Sequence, residues 1–154
     1  MSHAADKIKP TRSAVYKTVG DTKLKLHIFE PLKHQKTDKK AAIVFFFGGG
    51  WNGGTPTQFY QQADFLAKKG MVAFSAEYRV KSRNKTTPFD AVEDAKSAIR
   101  WVRQHASNLG IDPDRIVASG GSAGGHLAAC TGIITTDKDK TENSSVSSLS
   151  LIHI

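Results

Sequence analysis

The feature that most constrains this chain is a serine set among glycines, between a short apolar run and a stretch of small residues. The stretch reads Arg115-Ile116-Val117-Ala118-Ser119-Gly120-Gly121-Ser122-Ala123-Gly124-Gly125-His126 and predicts a strand, a sharp turn and a helix. Gly120, Ser122 and Gly124 match the G-x-S-x-G spacing, in which the serine occupies a strained turn at the start of a helix. Glycine is needed on either side because a Cβ atom would collide across so tight a turn. We therefore predict that Ser122 is a nucleophile held clear of the sheet.

The segments ahead of this serine alternate between strand and helix patterns. Residues 13–30 predict a half-buried antiparallel hairpin, because Leu24, Leu26 and Ile28 alternate with polar residues. Further predicted elements are a buried strand over 41–47, a helix from Pro56 to Gly70, a strand over 71–80, a polar loop over 81–87 and a helix over 88–106. This order predicts an α/β fold with a mostly parallel sheet, flanking helices and right-handed crossovers.

A glycine-rich turn, Gly48-Gly49-Gly50-Trp51-Asn52-Gly53-Gly54, follows the buried strand. Together with the serine turn it resembles the α/β-hydrolase superfamily, in the branch of hormone-sensitive-lipase-like enzymes and bacterial acetyl-ester and carbohydrate-ester hydrolases. The resemblance covers residues 15–134. It implies an α/β-hydrolase fold and a serine esterase that acts through an acyl-enzyme on short-chain acyl esters, with carbohydrate esters among the candidates. No metal or organic cofactor is implied.

The same resemblance assigns an oxyanion hole to the backbone N–H groups of Gly49, Gly50 and Ala123. Phe47 stands where the related His-Gly-Gly-Gly motif has its histidine, which leaves the donors intact but removes any anchoring by that histidine. Trp51 is a candidate for lining the substrate pocket, with a plain core tryptophan as the alternative.

A serine nucleophile needs a histidine base and a carboxylate, which follow the serine in this superfamily. His126 lies one helical turn beyond the serine and is expected to point away from it, and His153 has no further strand before it. The acidic residues after the serine are Asp137, Asp139 and Glu142. None of these fits the pattern, so the acid and the base are expected beyond residue 154.

We interpret residues 13–134 as the amino-terminal portion of one α/β-hydrolase domain whose carboxyl-terminal part is missing, and 135–154 as loop or tail. The last residues resemble translated adaptor sequence, so His153 has no assigned role. The 154 residues alone are expected to be inactive. The serine strand is expected to form an open sheet edge with an uncovered apolar face.

Several other polar or reactive residues are predicted to be structural. His27 and His34 are expected to face solvent, and Cys130 to be a small core residue. Three acids before the serine are expected to make helix-cap, first-turn or loop contacts: Asp90, Asp94 and Asp114.

Two alternatives remain open at this point. Gly48-x-Gly50-x-x-Gly53, with Glu77 near the end of the next strand, formally matches a dinucleotide-binding fingerprint of an oxidoreductase. Trp51 is bulky for that turn, and Pro56 places the helix start after the third glycine. The second alternative is a non-catalytic binding module on a hydrolase scaffold.

Charge and composition limit the partners. The net charge of +8 comes from scattered lysines and arginines, without interleaved aromatics, which favours a solvated face over a nucleic-acid site. No stretch approaches the roughly 20 apolar residues of a membrane span, and the start has no apolar signal region. The compartment stays open, cytoplasmic by default and secreted if the amino terminus is incomplete. The oligomeric state is also open.

Overall fold

The computed structural model describes residues 7–134 together with Ser150 and Leu151. The strands are β1 (Arg12–Val19), β2 (Thr22–Phe29), β3 (Lys40–Phe46), β4 (Val72–Ala76), β5 (Ile111–Gly120) and β6 (Ser150–Leu151). The helices are a 3₁₀ helix (Pro56–Phe59), α1 (Tyr60–Lys68), α2 (Lys81–Asn84), α3 (Pro88–Gln104), α4 (Ala106–Leu109) and α5 (Ala123–Ile133). Among these residues, no helix combines the length and the apolar character that crossing a bilayer requires.

The strands form one sheet in the order β1-β2-β4-β3-β5-β6. β1 and β2 make the predicted antiparallel hairpin, and β2 runs antiparallel to β4. β3 lies between β4 and β5 and is parallel to both, which confirms the predicted mostly parallel sheet. Because parallel strands share a direction, the carboxyl ends of β3, β4 and β5 meet at one edge of the sheet, where ligands bind in open α/β sheets.

The far edge of β5 is partly paired. Val117 and Ala118 pair with Ser150 and Leu151 of β6, so the edge that the sequence analysis expected to be open has a partner over these two residues. The remainder of the predicted tail, 135–149 and 152–154, lies outside the described residues.

Both faces of the sheet are buried, which explains why β3 is apolar at nearly every position. One face packs against α1 and includes Phe29, Ile43, Phe45, Ala63, Ala67 and Ala73. The opposite face packs against α3 and α5 and includes Val44, Phe46, Phe74, Ala95, Ile99 and Leu127. The two clusters take alternate residues of β3, as the pleat of a strand requires.

Two element predictions need correction. The strand predicted over 71–80 ends at Ala76, and the following residues leave the ladder. The loop predicted over 81–87 contains the helix α2. A helix of one turn is too short to show a hydrophobic period, so sequence patterns do not reveal it.

Asp94 does not make the helix-cap, first-turn or loop contact that was predicted for it. Its carboxylate is fully buried and accepts hydrogen bonds from the Arg79 Nε at 2.8 Å and Nη2 at 2.9 Å. The Lys17 Nζ lies 2.6 Å from the Asp94 Oδ1, which is also the oxygen that accepts from the Arg79 Nη2. Because Lys17 belongs to β1 and Arg79 follows β4, this cluster joins two separate parts of the chain to α3.

The two histidines predicted to face solvent are also engaged by the protein. The ring nitrogens of His27 lie 2.8 Å from the Tyr60 hydroxyl and 3.0 Å from the Glu77 carboxylate. The side chain of His34 is only 7% exposed, and its Nε2 lies 2.8 Å from the Leu109 carbonyl oxygen. Both predictions failed because the partners are distant in sequence.

Candidate active site

The predicted serine turn lies between β5 and α5, at the sheet edge where the parallel strands end. Ser122 has φ 53° and ψ −121°, in the positive-φ region that residues other than glycine rarely adopt. Its side chain is exposed, and its hydroxyl makes no hydrogen bond within the described part of the chain. The strained backbone therefore presents a free hydroxyl beside the amino terminus of α5.

Close approach of β3 explains the glycines around this serine. A Cβ atom on Gly120 would lie 2.5 Å from both the Phe46 carbonyl oxygen and the carbonyl carbon of Gly124. A Cβ atom on Gly124 would collide with the same Phe46 oxygen. The turn is therefore packed directly against the end of β3, and only glycine fits at both positions.

The glycine-rich turn, residues 48–54, begins at that same end of β3. Gly49 and Gly50 have φ values of 144° and 59°, which glycine adopts without strain. The Gly49 carbonyl oxygen accepts hydrogen bonds from the N–H groups of Asn52 at 3.0 Å and Gly53 at 3.1 Å. These bonds close the turn on itself.

The two turns touch. A Cβ atom on Gly48 would lie 3.3 Å from the Ser122 Cβ, so the glycine-rich turn starts in contact with the serine. Within the described residues, no acceptor binds the backbone N–H groups of Gly49, Gly50 or Ala123. These three predicted donors are thus left unpaired on the two adjoining turns.

The outer side of the glycine-rich turn is held by residues that the sequence analysis did not identify. The helix α2 binds three of its carbonyl groups, through two backbone N–H groups and one side chain. Lys81 N–H donates to the Trp51 oxygen at 2.9 Å, Ser82 N–H to the Asn52 oxygen at 3.0 Å, and the Arg83 Nη2 to the Gly54 oxygen at 2.8 Å. The Gln58 and Tyr78 side chains bind the peptide group at the beginning of the turn. No sequence motif marks these residues, because each of them binds a residue in or next to the turn that lies 10 or more positions away in the sequence.

Trp51 lies beside the serine helix. Its indole ring meets the His126 ring edge to face, with centroids 5.4 Å apart, and its buried Nε1 has no hydrogen-bond partner in the described region. Both ring nitrogens of His126 lie 3.6 Å from the Cys130 Sγ. Burial raises the pKa of the Cys130 thiol, so it stays neutral, in line with the predicted core role. His126 thus packs against Trp51 and Cys130.

The described histidines do not supply a base for Ser122. His27 and His34 are engaged as described above, His126 packs on Trp51, and the His105 Nδ1 lies 2.8 Å from the Trp101 carbonyl oxygen. Four further acid or base candidates lie outside the described residues: Asp137, Asp139, Glu142 and His153. The described part of the chain therefore brings together a serine and a set of backbone donors.

The residues of the dinucleotide fingerprint do not have the geometry that binds a dinucleotide. The first helix after the turn starts at Pro56, beyond the third glycine of the pattern. The Glu77 carboxylate, which would bind a ribose, instead binds His27 and the Lys25 N–H at 3.0 Å. Burial alone would raise the pKa of Glu77, but these hydrogen bonds outweigh it and lower the pKa below its usual value.

Residues 26–152 match the BD-FAE family, and this match covers more than half of the chain. Among solved structures, an esterase from Thermogutta terrifontis, determined with butyrate bound, is 52% identical with a TM-score of 0.85. The match covers 92% of this chain and 52% of that one. The same esterase has also been solved phosphorylated by paraoxon.

Curated relatives match this chain over part of their own length. A probable isoprenylcysteine alpha-carbonyl methylesterase of Arabidopsis thaliana is 33% identical, over 88% of this chain and 27% of its own length. The probable carboxylic ester hydrolase LipM of Mycobacterium tuberculosis is 40% identical, over 58% of this chain and 21% of its own length. The chain thus spans about half of the similar esterase structure and about a quarter of these relatives.

Proposed function

The chain belongs to the BD-FAE family and has the α/β-hydrolase fold, and from this premise we propose that Ser122 is the nucleophile of a serine ester hydrolase. The observation that carries the proposal is the exposed serine at φ 53°, in contact with a turn in which the N–H groups of Gly49 and Gly50 have no acceptor among the described residues. The similar Thermogutta esterase, phosphorylated by paraoxon, supports a nucleophilic hydroxyl in this fold.

The proposed reaction proceeds through an acyl-enzyme. The Ser122 oxygen attacks the ester carbonyl carbon while a histidine takes the hydroxyl proton. The negative charge that develops on the carbonyl oxygen is stabilised by the N–H groups of Gly49, Gly50 and Ala123. The intermediate then collapses, the alcohol leaves with the proton from the histidine, and water releases the acid in a second cycle. The amino terminus of α5 adds favourable positive potential at the same point.

The proposed substrates are small esters with short acyl chains. Butyrate and propionate are bound in structures of the Thermogutta esterase, which supports an acyl pocket of that size. Trp51 is proposed to line this pocket, since its ring packs on His126 of α5, the helix that follows Ser122. Carbohydrate esters remain part of the proposal through the resemblance described at the outset.

The test is ester hydrolysis by the full-length protein. Acetate, butyrate and octanoate esters of p-nitrophenol are compared for the wild type, Ser122→Ala and the matched control Ser107→Ala, which changes an exposed serine on α4. We expect Ser122→Ala to reduce kcat by more than about 10,000-fold, as removal of a nucleophile does in serine hydrolases. The control is expected to keep the wild-type rate.

Three results would contradict the proposal. Full hydrolysis by Ser122→Ala would place the chemistry elsewhere. A wild-type protein that hydrolyses none of the esters would favour the non-catalytic module, and protection from thermal unfolding by a nicotinamide dinucleotide would favour the oxidoreductase alternative.

A further inference from the structure

The peptide group between Phe47 and Gly48 is held on both of its polar sides by side chains. Its N–H donates to the Gln58 Oε1 at 2.7 Å. Its carbonyl oxygen accepts a hydrogen bond from the Tyr78 hydroxyl at 2.6 Å. Gln58 belongs to the 3₁₀ helix and Tyr78 follows β4, so the two hydrogen bonds come from different parts of the chain.

Each of these two hydrogen bonds has a fixed donor and a fixed acceptor. Only the oxygen of the Gln58 carboxamide can accept from an N–H group, so its orientation follows from the bond. Tyr78 is 2% exposed, and its ring stacks on Phe47 with centroids 4.1 Å apart. Burial raises the pKa of Tyr78, so its hydroxyl remains a donor at physiological pH. The peptide plane therefore has little freedom to rotate.

This peptide is the last one before the proposed oxyanion donors. Rotation about the bonds of Gly48 and Gly49 would redirect the N–H groups of Gly49 and Gly50, and glycine offers no side-chain resistance to such rotation. Donors stabilise an oxyanion only when they already point at it, without reorganisation during the reaction. Side chains outside the turn are thus needed to fix its backbone at this point. The sequence has Phe47 in place of the anchoring histidine of the related motif.

We propose that Gln58 and Tyr78 are positioning residues that clamp the Phe47–Gly48 peptide and thereby aim the oxyanion donors of Gly49 and Gly50. The proposal rests on the proposed function, because it assumes that Ser122 forms an oxyanion at this turn. Neither side chain is assigned a direct contact with substrate.

The experiment compares Gln58→Met, Tyr78→Phe and the double variant in the full-length protein. Each change removes one of the two hydrogen bonds while keeping the size of the side chain. The matched controls are Gln62→Met, on the exposed side of α1, and Tyr60→Phe, which removes a hydroxyl bonded to His27 instead of the turn. Steady-state kinetics on p-nitrophenyl butyrate are combined with inhibition by a trifluoromethyl ketone, which forms a tetrahedral adduct with a nucleophilic serine.

We expect each single variant to reduce kcat by about 10- to 100-fold with KM within about twofold of wild type, because misdirected donors weaken only the transition state. The inhibition constant for the ketone rises by the same factor as kcat/KM falls. The double variant loses less than the product of the single losses, because both side chains hold one peptide. The controls keep the wild-type kcat.

An unchanged kcat in Gln58→Met would overturn the proposal, and so would a rise in KM with no change in kcat or in ketone inhibition. If Tyr78→Phe does not fold, the exposed Gln58 alone decides the outcome. Activity that survives in Ser122→Ala would instead refute the proposed function, so the two failures are distinguishable.

Discussion

At the scale of single residues, the site depends on places where a methyl group has no room. Gly120 and Gly124 press against the Phe46 carbonyl oxygen, and Gly48 presses against Ser122. Such contacts bring the serine turn and the glycine-rich turn together without any side chain between them. The two turns are therefore in contact at Gly48 and Ser122.

We predict that Gly124→Ala destabilises the protein by several kcal/mol or prevents folding, since overpacking a tight contact typically costs about 1–3 kcal/mol and this contact is with backbone. The matched control is Gly53→Ala, because a Cβ atom there meets nothing within 4 Å and its φ is not in the positive region. Thermal unfolding of both variants checks the prediction. Equal stability of the two alanine variants would contradict it.

Residue-scale predictions from the sequence succeeded where the signal is local. The spacing of Gly120, Ser122 and Gly124 indicates a turn between strand and helix, and that turn is present. Gln58 and Tyr78 were missed because each binds a residue from another element, and no pattern in the sequence reports that pairing. The prediction for Asp94 was wrong for the same reason.

At the scale of elements, α3 shows how helix ends are fixed. Thr87 and Asp90 form a reciprocal capping box, in which the Thr87 N–H donates to the Asp90 carboxylate at 2.8 Å. The backbone N–H of Thr87, and then its hydroxyl, lower the pKa of Asp90 below its ordinary value of 3.8. The ionised carboxylate is thus preferred in the folded state, beside a helix amino terminus.

The lowered pKa gives a signed pH dependence. Because the folded-state pKa lies below the unfolded one, the contribution of Asp90 is fully present above 3.8 and is lost as pH falls through the folded-state pKa. We predict that Asp90→Asn lowers stability at neutral pH and that its difference from wild type shrinks as the pH falls below 3.8. Urea unfolding across this range measures both, and a difference that is constant with pH would contradict the assignment.

Element prediction was accurate for long periodic segments and poor for short ones. The helix predicted over 88–106 corresponds to α3, Pro88–Gln104, because its apolar face repeats over several turns. The helix α2 has four residues and follows an extended stretch, so its role in binding the glycine-rich turn could not be read from periodicity.

At the scale of the whole molecule, one sheet has two buried faces, and the candidate site lies where its parallel strands end. The antiparallel hairpin lies at the other side of the sheet from β5 and is tied to α3 through Asp94. This buried carboxylate faces both Lys17 and Arg79, so its charge is needed to balance two cations.

We predict that Asp94→Asn destabilises the protein by about 3–5 kcal/mol, the usual cost of leaving buried charges without their partner. The matched control is Glu93→Gln, the same chemical change at an exposed position of α3. Urea unfolding compares the two free energies. A loss for Asp94→Asn no larger than that for Glu93→Gln would show that the cluster does not tie the hairpin to α3.

The order of elements, the hairpin and the parallel sheet followed from the sequence because alternating strand and helix patterns allow few arrangements. The sequence did not reveal how distant polar residues pair across those elements. Lys17 and Asp94, or His34 and Leu109, meet only once the sheet has formed.

The central claim is that Ser122 is the nucleophile, and covalent labelling tests it most directly. The full-length protein is treated with paraoxon, digested and analysed by mass spectrometry, with Ser122→Ala treated in parallel. We predict one diethylphosphoryl group on the peptide that contains Ser122, loss of ester hydrolysis in step with labelling, and no label in Ser122→Ala. Unlabelled Ser122 in a fully inactivated enzyme, or a label on another serine that accounts for the inactivation, would contradict the claim.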